Sequence, residues 1–74
     1  MKPGDKVWVY DNLLGIREGI CEKAVVRGGK IRVVQILYGV IDGVAMRDYR
    51  CLTLNLDCFP TREALCEHYR KIFE

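Results

Sequence analysis

Three of the chain's four cysteines and its single histidine fall within one stretch, CLTLNLDCFPTREALCEH at 51–68. Thiolates and imidazoles are the side chains that hold zinc or build nucleophile–base pairs, so their spacing is tested first. A structural zinc site needs four donors converging at ~2.0–2.3 Å and usually carries close Cys-x₂-Cys pairs. No such pair is present. On a regular strand Cys51 and Cys58 point to opposite faces, and on a helix Cys66 and His68 diverge by ~200°. A Cys–His catalytic pair fails for the same reason, because a general base must come within ~2.6–3.2 Å of its nucleophile. RGGK at 27–30 has neither the spacing nor the following helix of a phosphate-binding loop. The expectation is therefore no catalytic residue, no metal and no cofactor, with Cys58 and Cys66 acting as small buried hydrophobes and His68 as a solvated surface residue.

The elements around that stretch read as short strands. Lys6–Tyr10 alternates, with Val7 and Val9 facing one way and Lys6, Trp8 and Tyr10 the other. DNLLG breaks it. A second extended segment over 16–27 carries Ile16, Ile20, Ala24 and Val26, with Gly19 as a bulge or close-approach point. Gly28-Gly29 supply the positive φ angles of a tight hairpin. KIRVVQILY at 30–38 is apolar on both parities, which predicts a central strand covered on both faces. GVIDG at 39–43 predicts a turn, followed by a strand over 44–49 and a last strand in CLTLNLDC, where Leu52, Leu54, Leu56 and Cys58 alternate with polar neighbours. Pro60 stops that strand and Thr61 caps a helix over about 61–73. Its stripe of Leu65, Cys66, Tyr69, Ile72 and Phe73 is expected to cover the central strand.

These elements amount to one domain, 1–74, mainly β with one C-terminal helix: a small five-stranded SH3-like antiparallel barrel. Two motifs carry a resemblance. KPGDKVWVYD resembles the opening of many small SH3-like barrels, in which a Gly-Asp turn launches the first strand. DCFPTREAL is similar to the closing pattern of many short bacterial and mobile-element proteins of uncharacterised role that contain such a barrel. Cys58 stands where that pattern usually has an aliphatic residue. The resemblance implies a fold and not an activity; a mobile-element origin would fit an adaptor or inhibitor that acts on a larger protein.

Seventy-four residues, half of them apolar and 30% charged, describe an ordered domain that buries only about 60% of its unfolded surface, which leaves little room for a deep catalytic cleft. The formal net charge of +2 falls short of the strongly basic balance of a dedicated nucleic-acid binder. MKPGDKVWVY lacks the apolar run of a signal peptide, and no stretch is long and apolar enough to span a membrane. A cytoplasmic, non-enzymatic protein with free thiols is expected.

The remaining functional signal is aromatic and arginine surface, the residue types enriched at binding hot spots. The candidate binding residues are Trp8, Tyr10, Tyr38, Tyr49, Arg32, Arg47 and Arg50. They point to a protein or peptide partner bound through an aromatic face or an exposed strand edge. The alternative is a nucleic-acid accessory protein using MRDYR and the RGGK hairpin against phosphate. Trp8 has two readings, a contact surface or an indole packed beneath the helix. The doubly apolar 30–38 strand also predicts a weak symmetric dimer.

Overall fold

The computed structural model describes residues 1–73, with side chains through residue 71. The chain order is β1 (Lys6–Asp11), β2 (Gly15–Arg27), β3 (Lys30–Ile41), β4 (Val44–Asp48), β5 (Leu52–Thr53), β6 (Cys58–Phe59) and α1 (Arg62–Phe73). The strands make one antiparallel sheet in the order β4-β3-β2-β1-β6, and β5 pairs with the first half of β3. The sheet is mainly β with one C-terminal helix, as the sequence predicts, but it has six strands and does not close into a barrel. Leu54, just after β5, makes an isolated bridge to Cys58 of β6.

The sixth strand comes from dividing CLTLNLDC. The alternation there is interrupted at Asn55, whose φ is +67°, and a turn covers 55–57. The Asp57 carboxylate accepts the Thr53 N–H at 3.1 Å. Leu56 consequently lies outside, 53% exposed, instead of continuing the core row with Leu52 and Cys58.

Both glycine-containing tight turns form as two-residue hairpins with positive φ at both central positions, Gly28-Gly29 and Asp42-Gly43. Between them, the apolar parity of β2 and β3 switches. The register passes from Cys21–Ile36 to Lys23–Gln35 and then Ala24–Val33, leaving Glu22 and then Val34 as extra residues. Each extra residue turns the following side chains to the other face. Val33 and Ile36 therefore both point into the core despite opposite parity, and both are buried. The doubly apolar pattern of 30–38 arises from this switch and not from burial on two faces. On β2 Gly19 and Cys21 are buried and Ala24 packs against the core, while Ile20 and Val26 are exposed. A Cβ at Gly19 would lie 2.5 Å from Ile36 Cγ2 and 3.1 Å from the Leu37 carbonyl oxygen, so this is a close-approach glycine.

Val7, Val9, Cys21, Val33, Ile36, Leu52 and Cys58 make the concave core. The helix begins as predicted: the Thr61 hydroxyl accepts the Ala64 N–H at 3.1 Å. It packs against β1 and β6 on the outer face rather than over β3. Leu65 and Phe59 are buried there. His68 is not a solvated surface residue, since its ring lies 5.0 Å from Phe59 and 5.3 Å from Tyr69. The predicted inward placement of Ile72 and Phe73 lies outside the described side chains.

Candidate functional site

The β2–β3 ladder ends at Ile20–Leu37, although β2 begins at Gly15 and β3 runs on to Ile41. Each strand keeps its other partner, β2 with β1 and β3 with β4. The sheet therefore forks into two hairpins at this end. A register shift between Leu37 and Gly39, where Gly39 has φ +145°, starts the divergence on β3. Only glycine takes that conformation without strain.

The fork's base is a shallow outer-face groove of about 320 Å³ lined by Lys6, Glu18, Gly19, Ile20, Leu37 and Gly39, with part of Tyr38. Lys6 and Glu18 form an ion pair of 3.3 Å on its rim. Its tips are apolar and open. Leu13 is 93% exposed at the end of the first hairpin, where Leu14 is also exposed, and Val40, Ile41 and Val44 are exposed at the end of the second. The first tip is held in shape by Asp11, whose carboxylate accepts the N–H groups of Leu13 and Leu14 at 2.7 and 3.0 Å. These bonds hold the Asp11 carboxyl below its ordinary range.

A polar chain spans the fork on the concave side. Arg17 of β2 stacks on the Tyr38 ring, its guanidinium carbon 3.8 Å from the centroid, a cation–π contact. The Tyr38 hydroxyl donates to Asp48 across 3.4 Å, and Arg50 pairs with Asp48 at 2.7 Å. The Arg50 bond holds the Asp48 carboxyl below its ordinary range against partial burial. Burial, with Asp48 nearby, raises Tyr38.

The predicted binding residues divide among four places. Tyr38 and Arg50 meet at the fork. Arg47 is spent on Glu22, at 2.8 Å from Nε, and Tyr49 is exposed beside it. Arg32 sits toward the opposite end of the sheet and donates to the Thr53 hydroxyl. Trp8 and Tyr10 lie on the outer face of β1. Tyr10 packs its ring 5.0 Å from Tyr69 of the helix, and Trp8 is half-buried beside Phe59 in the β1–β6 ladder. The seven thus form no single aromatic face. Residues missed from the sequence are Arg17, Asp48, Leu13, Leu14, Val40, Ile41, Val44 and Met46. The available signal was the apolar flanking of both predicted turns, in DNLLG and GVIDGVAM.

The four cysteines are unpaired. Cys58 is fully buried, and burial, then Asp57 and Cys21, pushes its thiol up to about 12. Burial also raises Cys21. No group of His, Cys, Asp and Glu side chains suited to a metal occurs among the described residues. No described helix is long and apolar enough to cross a membrane. No protein-family model, curated protein sequence or solved structure matches the chain.

Proposed function

We propose that this chain is a non-enzymatic interaction module that takes an extended segment of a partner protein into the forked end of its sheet. The observation that carries the reading is the pair of facing strand edges, Gly15–Gly19 and Tyr38–Ile41, with no ladder between them and apolar side chains at both tips. Unpaired strand edges are templates for strand addition: the main chain supplies affinity and alternate side chains supply selectivity. Exposed leucine, isoleucine and valine at such an edge have no folding benefit.

The non-enzymatic part of the reading is supported by the thiols. Cys21 and Cys58 are buried with raised pKa values, the reverse of an activated nucleophile. The internal engagements of Arg32, Arg47 and Arg50 weigh against their use on nucleic-acid phosphates and favour the protein partner. The finer fold reading, a partly opened SH3-like sheet, is supported by the antiparallel strand order and the Leu54–Cys58 bridge. The adaptor or inhibitor role and a mobile-element setting rest on the resemblance of the two terminal motifs.

The test is capture from a lysate of the source cells at low and high salt, with and without nuclease. A protein retained by wild type after nuclease and high salt, and lost with Ile41→Asp, is the expected result. Retention that disappears with nuclease or falls steeply with salt transfers the function to nucleic acid.

A further inference from the structure

The formal charge of +2 is unevenly placed along the chain. KAVVRGGKIR at 23–32 holds Lys23, Arg27, Lys30 and Arg32 and no carboxylate, so of the chain's twelve cations and ten anions the remainder keeps eight cations against ten anions. This stretch is the end of the β2–β3 hairpin farthest from the fork. β1 leaves β2 at Ile20, and β5 pairs with β3 only at Arg32 and Val33. From Ala24 to Ile31 the two strands therefore run on with no other strand paired beside them, apart from the Leu54 N–H donated to the Ile31 carbonyl.

Three of the cations share one face. Val33 is buried in the core, so its neighbour Arg32 points to the outer side of the sheet, and alternation puts Lys30 on that side with Arg27, its directly opposed partner. Cations directly opposed in a ladder, about 5.5 Å apart at Cα, repel. Among the described residues Lys23, Arg27 and Lys30 are exposed and make no ion pair, whereas Lys6, Arg47, Arg50, Arg70 and Lys71 each have one. We propose that this hairpin end holds the phosphate backbone of double-stranded nucleic acid.

Charge complementarity selects a polyanion, and the make-up of the hairpin selects which. A phosphate backbone is held by cations and main-chain N–H groups alone, whereas an added peptide strand draws its selectivity from pockets for alternate side chains. Arg27 and Lys30 flank a two-residue turn and exchange their hydrogen bonds, so the N–H of Val26 points away from β3, and Val26 is 71% exposed. At the tip, Gly28-Gly29 place no side chain in the way of a ligand's surface. A single strand would present bases for stacking, and 23–32 contains no aromatic residue. A duplex instead offers those cations about twice the charge per unit length. Arg32 is engaged by the Thr53 hydroxyl, which leaves Lys23, Arg27 and Lys30 to neutralise phosphates. The hairpin end and the fork lie at opposite ends of the β2–β3 ladder, so this proposal and the fork reading fail independently.

The test is fluorescence anisotropy of a short, labelled DNA duplex of mixed sequence, titrated with the purified full chain at a series of salt concentrations. Wild type should bind at low salt, and log K against log salt should fall with a slope of about −3, at roughly −0.9 per phosphate neutralised. Arg27→Gln and Lys30→Gln should each reduce that slope by about one. The double variant should lose binding many-fold while unfolding at or above the wild-type midpoint, because a like-charge pair has been removed. If the double variant does not fold, Lys23→Gln, at an exposed position, should lower the slope by about one in its place. Absence of binding by wild type at low salt, or a slope that neither single variant changes, overturns the inference. So does polyglutamate that competes as well as the duplex, charge for charge, which transfers the surface to an acidic protein segment. A single strand of the same length that binds more tightly than the duplex overturns the choice of occupant.

Discussion

Gly19 shows how a single missing side chain sets the geometry of the site. Its Cα faces Ile36, Leu37 and Tyr38 so closely that an added Cβ would overlap Ile36, and Gly19 lies at the point where the two hairpins part. Gly19→Ala should destabilise the chain by about 1–3 kcal/mol, the range for overpacking, measured as a shift in urea midpoint. Thiol accessibility is equally specific. Cys51 is exposed while Cys21 and Cys58 are buried, so a thiol reagent should label Cys51 at once and the two core thiols only on unfolding. Cys58 in an aliphatic residue's place was legible from the DCFPTREAL pattern and from the burial usual for free cysteine, whereas the packing of His68 against Phe59 was not, because it depends on which sheet face the helix covers. Asp48 has its folded pKa below the ordinary 3.8 through its bonds with Arg50. Its contribution is complete at neutral pH and is lost as pH falls below that ordinary value, when the carboxylate protonates in the folded state. The acid limb of a stability–pH curve should therefore flatten in Asp48→Asn.

At the level of elements, the strands and the helix were readable wherever alternation or a cap was local. Val7–Val9 alternation, the Gly28-Gly29 hairpin and the Thr61 cap all stand as the sequence predicts. What misled was parity. A bulge leaves no mark in composition, so the compensating extra residues Glu22 and Val34 made one inward row look like two buried faces. That reading in turn placed the helix over β3. Its actual seat on β1 and β6 leaves the forked end uncovered, and the site exists because of that. Leu65 is the helix's buried anchor. Leu65→Ala should destabilise by about 2–5 kcal/mol, a large share of a small domain's total. Tyr69→Ala should also lower the midpoint by releasing the ring from Tyr10 and Phe59.

The molecule extends 41 Å along its longest axis, and strands of twelve or thirteen residues span about that length at ~3.3 Å each. β2 and β3, of 13 and 12 residues, are the longest strands, and beyond the end of their ladder each continues paired with its other neighbour. This long, forked shape was hidden in the sequence because the end of a ladder depends on backbone divergence at Gly39 and not on residue type. Tyr38 and Arg50 were among the expected residues because aromatic and arginine side chains announce themselves, and both lie at the fork. Leu13, Leu14, Val40 and Ile41 were missed because turn-flanking apolar residues are indistinguishable from core residues until the turn is placed. The central claim, that the facing edges of β2 and β3 receive a partner's extended segment, is tested most directly by residue-resolved amide exchange of the chain, free and with the captured protein bound. The account predicts that binding slows amides within 15–19 and 38–41 while those of the helix and of Trp8 keep their free rates. Slowing confined to the helix and the Trp8 face, with the fork unchanged, would contradict it.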